Sequence, residues 1–130
     1  MRILITDDSE AIRKVLADLL TKQGFQVDMA ESCSATIRRL ARQTYDCLIL
    51  DNDLPDGRGM DIFKVLNSPA SHVFLFTTEA LSSSGQQAAA SLGVEKVFMK
   101  PSQTRELVAY VIDACSLPQG SDLARDGSTG

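Results

Sequence analysis

The chain is predicted to be an α/β protein: an open, doubly wound parallel sheet with helices on both faces. Three observations carry the prediction. Short apolar runs alternate five times with segments of helical period. Four of the five runs are apolar nearly throughout, as strands of a parallel sheet covered on both faces must be. The length is 130 residues, one ordinary domain, with 44% hydrophobic and 23% charged residues. That balance suits a globular protein able to bury a core without disulfides.

The first strand, residues 3–6, runs straight into Asp7 and Asp8. A helix follows, with Ile12, Val15, Leu16, Leu19 and Leu20 on one face, Ser9 as N-cap and Gly24 as terminator. Residues 25–29 alternate with period two, as a half-exposed edge strand would. Ile37, Leu40 and Ala41 give the second helix its stripe. The third strand, Cys47-Leu48-Ile49-Leu50, ends abruptly at Asp51, and Asn52-Asp53-Leu54-Pro55-Asp56-Gly57 reads as a turn. A short third helix begins near Gly59 and carries Phe63 and Leu66. Residues 72–77 form a buried strand ending at Thr77. Residues 82–92 are rich in Ala, Gln and Ser and read as a weakly anchored helix. The last strand, residues 96–100, ends at Lys100. The last helix has Leu107, Val111 and Cys115 at i, i+4, i+8, flanked by Val108 and Ile112. After about Ser116 the pattern stops. A domain over 1–116 and a polar flexible tail or linker over 117–130 are expected.

Right-handed crossovers connect such strands into an open sheet. In the flavodoxin-like strand order 2-1-3-4-5, a crevice opens at the carboxyl edge between strands 1 and 3. Those are the strands that end in Asp7, Asp8 and Asp51. Topology and charge therefore point independently to one site.

The formal net charge of −4 argues against a nucleic-acid face. No apolar run reaches the ~20 residues of a membrane helix, and the N-terminus lacks the pattern of a signal peptide. Cys33, Cys47 and Cys115 are odd in number and widely spaced. They read as buried reduced thiols of a cytoplasmic protein. Arg38, Arg39 and Arg42 form a local basic face on the second helix, either a solvated surface or a contact for an acidic partner.

The strand ends share one chemistry. Carboxylates at Asp7, Asp8 and Asp51 repel one another when all are ionised, and a hard divalent cation relieves that. An Asp carboxylate can attack phosphorus and form an aspartyl phosphate. The Thr77 hydroxyl can donate to a phosphoryl oxygen, and the Lys100 ammonium can neutralise added phosphate charge. Each residue alone would be unremarkable. Together, in order, at strand ends, they form a set suited to phosphoryl transfer.

On these residues the chain resembles a bacterial two-component response-regulator receiver domain. The resemblance rests on Asp7-Asp8, Asp51-Asn52-Asp53-Leu54-Pro55, Gly59, Thr77 and Lys100-Pro101, and it covers residues 1 to about 116. It implies that Asp51 accepts a phosphoryl group from a sensor histidine kinase or phosphotransfer protein. It also implies that Asp8 and Asp51 bind Mg2+ with the Asp53 backbone carbonyl, Asp7 supporting. Thr77 would bind the phosphoryl group and Lys100 would contact the Asp51 site. The face formed by the 82–92 helix, the fifth strand and the last helix would serve an output domain or a homodimer. The domain would catalyse only its own phosphorylation and dephosphorylation. His72 is the only histidine, so the chain lacks a phosphohistidine donor of its own. Departures from the family pattern fall at Thr78, where a small residue is common, and at Arg58, where an acid or amide is. Asp53 and Glu79 stand where the family tunes phosphoryl lifetime. Val97 stands where many members carry a switching aromatic, while Phe98 points to the opposite face.

Two other readings compete. The Asp51-Asn52-Asp53 run also resembles the Asp-x-Asp motif of haloacid-dehalogenase-type phosphatases, with Asp53 as general acid. That motif would fall on the wrong strand, and Asp7-Asp8 would have no role. A degenerate receiver acting as a phosphorylation-independent interaction module is the third.

Overall fold

A computed structural model describes residues 1–115 of the chain. Ser116 and the tail expected at 117–130 lie outside the described residues. The main elements are β1 (Arg2–Thr6), α1 (Glu10–Thr21), β2 (Gln26–Ala30), α2 (Cys33–Arg42), β3 (Cys47–Leu50), β4 (His72–Thr77), α3 (Ser83–Leu92), β5 (Val94–Met99) and α4 (Thr104–Cys115). All strand pairs of the main sheet are parallel, in the order β2-β1-β3-β4-β5. This is the expected doubly wound topology. Between β3 and β4 the chain makes a small antiparallel ladder, Asp53–Leu54 with Gly57–Arg58, and then the 3-10 helix Gly59–Lys64.

Alternation along the strands feeds two cores, one on each face of the sheet. Ile3, Ile5, Ile49, Phe74 and Phe76 pack with Leu16 and Leu20 of α1 and Leu107 and Val111 of α4. Leu4, Leu48, Leu50 and Leu75 face the other way, toward Cys33 and Ala35 of α2, Ile62 and Phe63 of the 3-10 helix, and Ala89 of α3. A slip of one residue in β1 or β3 would exchange the two sets, so the register is strongly specified.

Serine side chains start three of the helices. Ser9, Ser32 and Ser82 accept hydrogen bonds from the N–H groups of Ile12 (3.3 Å), Ala35 (3.1 Å) and Gly85 (3.1 Å). Each satisfies a donor that the first helical turn leaves unpaired. Gly24 adopts φ +93, but two residues beyond the Lys22 cap.

Several expectations are corrected in detail. On α1, Leu16 and Leu20 are buried, but Val15 is 51% and Leu19 37% exposed. The core accepts a narrower stripe than the apolar pattern drew. On α2, Ala41 is exposed and the deepest contact is polar. The buried Thr36 hydroxyl sits 2.7 Å from that of Thr6 and donates to the Ser32 carbonyl at 2.8 Å. The third helix is a 3-10 segment, and Leu66 lies just past it. β5 begins at Val94, earlier than the pattern showed, because Gly93 (φ +109) closes α3 and turns the chain directly into the strand. As expected, α3 is lightly anchored, with Ala89 its one buried residue. Val97 and Phe98 face opposite cores.

Candidate functional site

The carboxyl edge of the sheet gathers the residues that strand position alone had picked out. Asp51 leaves β3 with its N–H donated to the Thr6 carbonyl at 2.8 Å, so the end of β1 holds its backbone. Asp7 leaves β1 beside it, donating its N–H to the Ala30 carbonyl of β2 at 3.1 Å. Asp7 (2% exposed) and Asp51 (3%) are buried, whereas Asp8 is exposed. One carboxylate oxygen from each of Asp7, Asp8 and Asp51 lies within 4.8 Å of the others.

Lys100 enters from the end of β5. Its Nζ lies 2.6 Å from Asp7 Oδ2 and 3.0 Å from Asp51 Oδ2, with 5% of its side chain exposed. The backbone delivers it. Its N–H donates to the Thr77 carbonyl at 2.9 Å, and the following Lys100–Pro101 bond is cis. The remaining carboxylate oxygens are held by backbone. Asp51 Oδ1 accepts from the Asp53 N–H at 3.0 Å, and Asp7 Oδ1 from the Ser9 N–H at 2.9 Å. Burial pushes the Asp51 carboxyl above its ordinary pKa, and the Asp53 N–H and Lys100 only partly pull it back. Burial also draws Lys100 down, but its hydrogen bonds to Asp7 and Asp51 win and hold it above the ordinary lysine value. The lysine stays charged at neutral pH, which satisfies an otherwise unpaired pair of buried acids.

Thr77 ends β4 at 2% exposure, and its hydroxyl accepts the Glu79 N–H at 3.4 Å. It lines a cleft of ≈ 410 Å³ with Asp53, Arg58, Met60, Glu79 and Leu81. The Asp53 side chain is exposed at this mouth, while its N–H is committed to Asp51. Gly59 explains the spacing of the loop glycine. A Cβ there would collide with the Asp51 carbonyl oxygen and stand 2.9 Å from Leu50 Cγ. Only a residue without a side chain lets the 3-10 helix cross the acceptor's backbone.

Every site residue expected from the sequence is therefore found at one edge of the sheet. Sequence reasoning missed the supports. Asp56, read only as a turn residue, accepts from the Cys33 N–H (2.8 Å) and Ser34 N–H (3.0 Å) and so clamps the loop after Asp51 to the start of α2. Arg13 of α1 donates to the Asp7 carbonyl at 2.6 Å. Neither carries a local signal, because both act across elements distant in sequence. A small apolar hollow of ≈ 160 Å³ beside Lys100, lined by Ile12, Val15, Phe76 and Pro101, was also unforeseen.

An acidic set at the switch point of this sheet, two of its three carboxylates buried and paired with a lysine from the end of β5, points to a signalling domain of the receiver class. Residues 3–112 match the model of the response regulator receiver domain, and the chain belongs to that family. It is 30% identical over 109 residues to the sensory transduction protein RegX3 of Mycobacterium tuberculosis, covering 84% of this chain and 48% of RegX3. The chain thus spans about half the length of the curated relatives it matches. Among solved structures, a two-component response regulator from Clostridium difficile superposes with a TM-score of 0.80 at 23% identity, covering 89% of this chain and 96% of that one. The response regulator TrrA of Thermotoga maritima, in complex with Mg2+ and BeF, gives 0.71 at 24% identity, covering 87% and 97%. These likenesses establish the fold. Receiver domains are two-component signalling domains and not conventional enzymes. No helix among the described residues is long and apolar enough to cross a membrane.

Proposed function

We propose that this domain takes a phosphoryl group onto Asp51 from a phosphohistidine on a partner sensor kinase or phosphotransfer protein. The observation that carries the reading is the burial of Asp51 between Lys100 and the pair Asp7 and Asp8. An Asp51 oxygen attacks phosphorus, the donor's P–N bond breaks, and the imidazole leaves with the bonding pair. Lys100 balances charge on the entering group, and the Thr77 hydroxyl, released from Glu79, donates to a phosphoryl oxygen. The apolar hollow by Ile12, Val15 and Pro101, next to the exposed Val15 and Leu19, gives a donor protein a surface adjoining the site.

The donor set fits Mg2+. Three carboxylates against one ammonium leave two negative charges uncompensated at one point. Asp8 is the exposed member of the set and can supply an oxygen without losing a partner. Asp8 and Asp51 would hold the ion with the Asp53 carbonyl, Asp7 supporting from beneath. When bound, the ion would offset the charge of carboxylate and phosphate oxygens as they approach.

The response would pass from Thr77 through Thr78, Glu79 and Ala80 to α3, which Ala89 alone anchors and which is cheap to move. The α3, β5 and α4 face would then engage an output domain or a second copy. The domain would carry out only its own phosphorylation and dephosphorylation, in the cytoplasm, without binding nucleic acid itself. The experiment is phosphorylation by a small phosphodonor with and without Mg2+, read by intact mass, on wild type and Asp51→Asn. One phosphate on wild type, dependent on Mg2+ and labile to hydroxylamine, is expected. Full incorporation into Asp51→Asn would overturn the assignment. A wild type that never takes phosphate, yet binds its partner, would favour the unphosphorylated interaction module instead.

A further inference from the structure

We infer that the outer face of α2 is a docking surface for an acidic helical segment of a partner protein, engaged through Arg38 and Arg42. The chain as a whole is acidic, at −4, yet three arginines stand within five positions on this helix. The structure divides them. Arg39 is spent internally: its Nε donates to the Met29 carbonyl at 3.0 Å and its Nη1 lies 3.8 Å from Asp28 Oδ1. Arg2, the other cation nearby, is likewise held by Asp28 at 3.9 Å. Arg38 and Arg42 are exposed, and among the described residues neither has an ion-pair or hydrogen-bond partner. With Met29 and Tyr45 they line a cleft of ≈ 520 Å³ between α2 and the edge strand β2, whose one carboxylate, the exposed Glu31, is outnumbered by its arginines.

The chemistry of that cleft selects its occupant. The two free arginines are one helical turn apart, so their side chains project from the same strip about 5–6 Å apart. Carboxylates at i, i+4 on a second helix reproduce that spacing. A nucleotide phosphate is poorly served, because α2 points its carbonyl end and not its N–H end toward Arg42. Tyr45 is 5% exposed and offers no face for a base to stack on. The helix is also held rigidly from within. The Asp56 carboxylate fixes its first turn, the buried Thr36–Thr6 hydroxyl pair fixes its middle, and Arg39 ties its end to β2. Little ordering cost therefore remains for binding to meet, apart from the two arginine side chains.

The test titrates the 15N-labelled protein with a synthetic Ala-rich helical peptide bearing Glu at every fourth position. A matched peptide with Gln at those positions is the control. Chemical-shift changes confined to residues 33–43 and β2 are expected, with affinity falling steeply between low and 0.5 M salt. Arg38→Glu with Arg42→Glu should weaken binding about tenfold or more, and Arg38→Gln with Arg42→Gln by less. Both variants should keep the wild-type Tm and the wild-type rate of phosphorylation by a small donor. Equal binding of the Gln peptide, shifts centred on α1 or α3, or undiminished binding by the Glu variant would overturn the proposal. Tighter binding of a DNA duplex than of the Glu peptide at the same residues would overturn the protein assignment.

Discussion

Replacing Gly59 with alanine tests how tightly the acceptor's backbone is packed. The added Cβ would meet the Asp51 carbonyl oxygen and stand 2.9 Å from Leu50 Cγ. Carbon atoms in good contact are ~3.5–4.0 Å apart, so the clash with Leu50 alone demands a shift of most of an ångström. Neither obstacle is the loose end of a flexible side chain. One is the backbone of the acceptor itself, and the other is a fully buried core leucine. Overpacking of this kind costs about 1–3 kcal/mol, and the upper half of that range is expected. Alanine's reduced freedom in the unfolded chain returns at most ~0.4–1 kcal/mol. A net loss of about 2 kcal/mol should lower Tm by roughly 8 °C in a domain of this size. The Asp51 carboxylate should be displaced from Lys100 as well, so the rate of phosphorylation by a small donor should fall. Gly24→Ala is the control. A Cβ there meets nothing within 4 Å, and only the φ of +93 opposes it. Its expected cost of ~1–2 kcal/mol is conformational, and it should leave phosphorylation unchanged. Differential scanning calorimetry and a small-donor time course measure both effects. A Gly59→Ala variant that melts within 2 °C of wild type and phosphorylates at the same rate would refute the reasoning.

Lys100→Met leaves Asp7 and Asp51 buried without their counter-charge, and urea denaturation should show a loss of about 3–5 kcal/mol, partly recovered by added Mg2+. Asp8→Ala should abolish most divalent-ion binding in titration calorimetry while leaving Tm without metal nearly unchanged, because Asp8 is exposed. Thr77→Ala should still be modified at Asp51 yet lose the NMR response of α3 to a phosphoryl mimic. Val97→Ala should keep both and cost at most ~1–2 kcal/mol, since the valine has no ring to bury or expose. Hydrogen bonds from the Cys33 and Ser34 N–H groups hold the Asp56 carboxyl below the usual range. Its contribution to stability should therefore be complete above the unfolded Asp pKa of ~3.9 and vanish as pH falls through the lower folded value. Asp56→Ala should melt below wild type at pH 7, and the two should converge in acid.

The strand ends were legible in the sequence because each is a local event. An apolar run of four or five residues must be buried, and a carboxylate that follows it directly must emerge where the run meets solvent. Asp7, Asp51, Thr77 and Lys100 were located that way, and the alternation of runs with helical segments left only a parallel, crossover-connected sheet to collect them at one edge. The start of α1 was legible for the same reason, since Ser9 acts on an N–H group three residues away; Ser32 and Ser82 cap α2 and α3 in the same way, but only the structure showed it. Packing decided what periodicity could not. Val15 and Leu19 carry the same pattern as Leu16 and Leu20, but α1 meets the sheet along a stripe too narrow for all four. Thr36 lies outside the apolar stripe of Ile37, Leu40 and Ala41 and is nonetheless the most buried residue of α2, because a hydroxyl on β1 lies opposite it. Asp56, Arg13 and the collision that Gly59 avoids all depend on which distant backbone passes within 3 Å. A pattern of residue types records which groups need a partner. The partner itself is chosen only when the chain has folded back on itself.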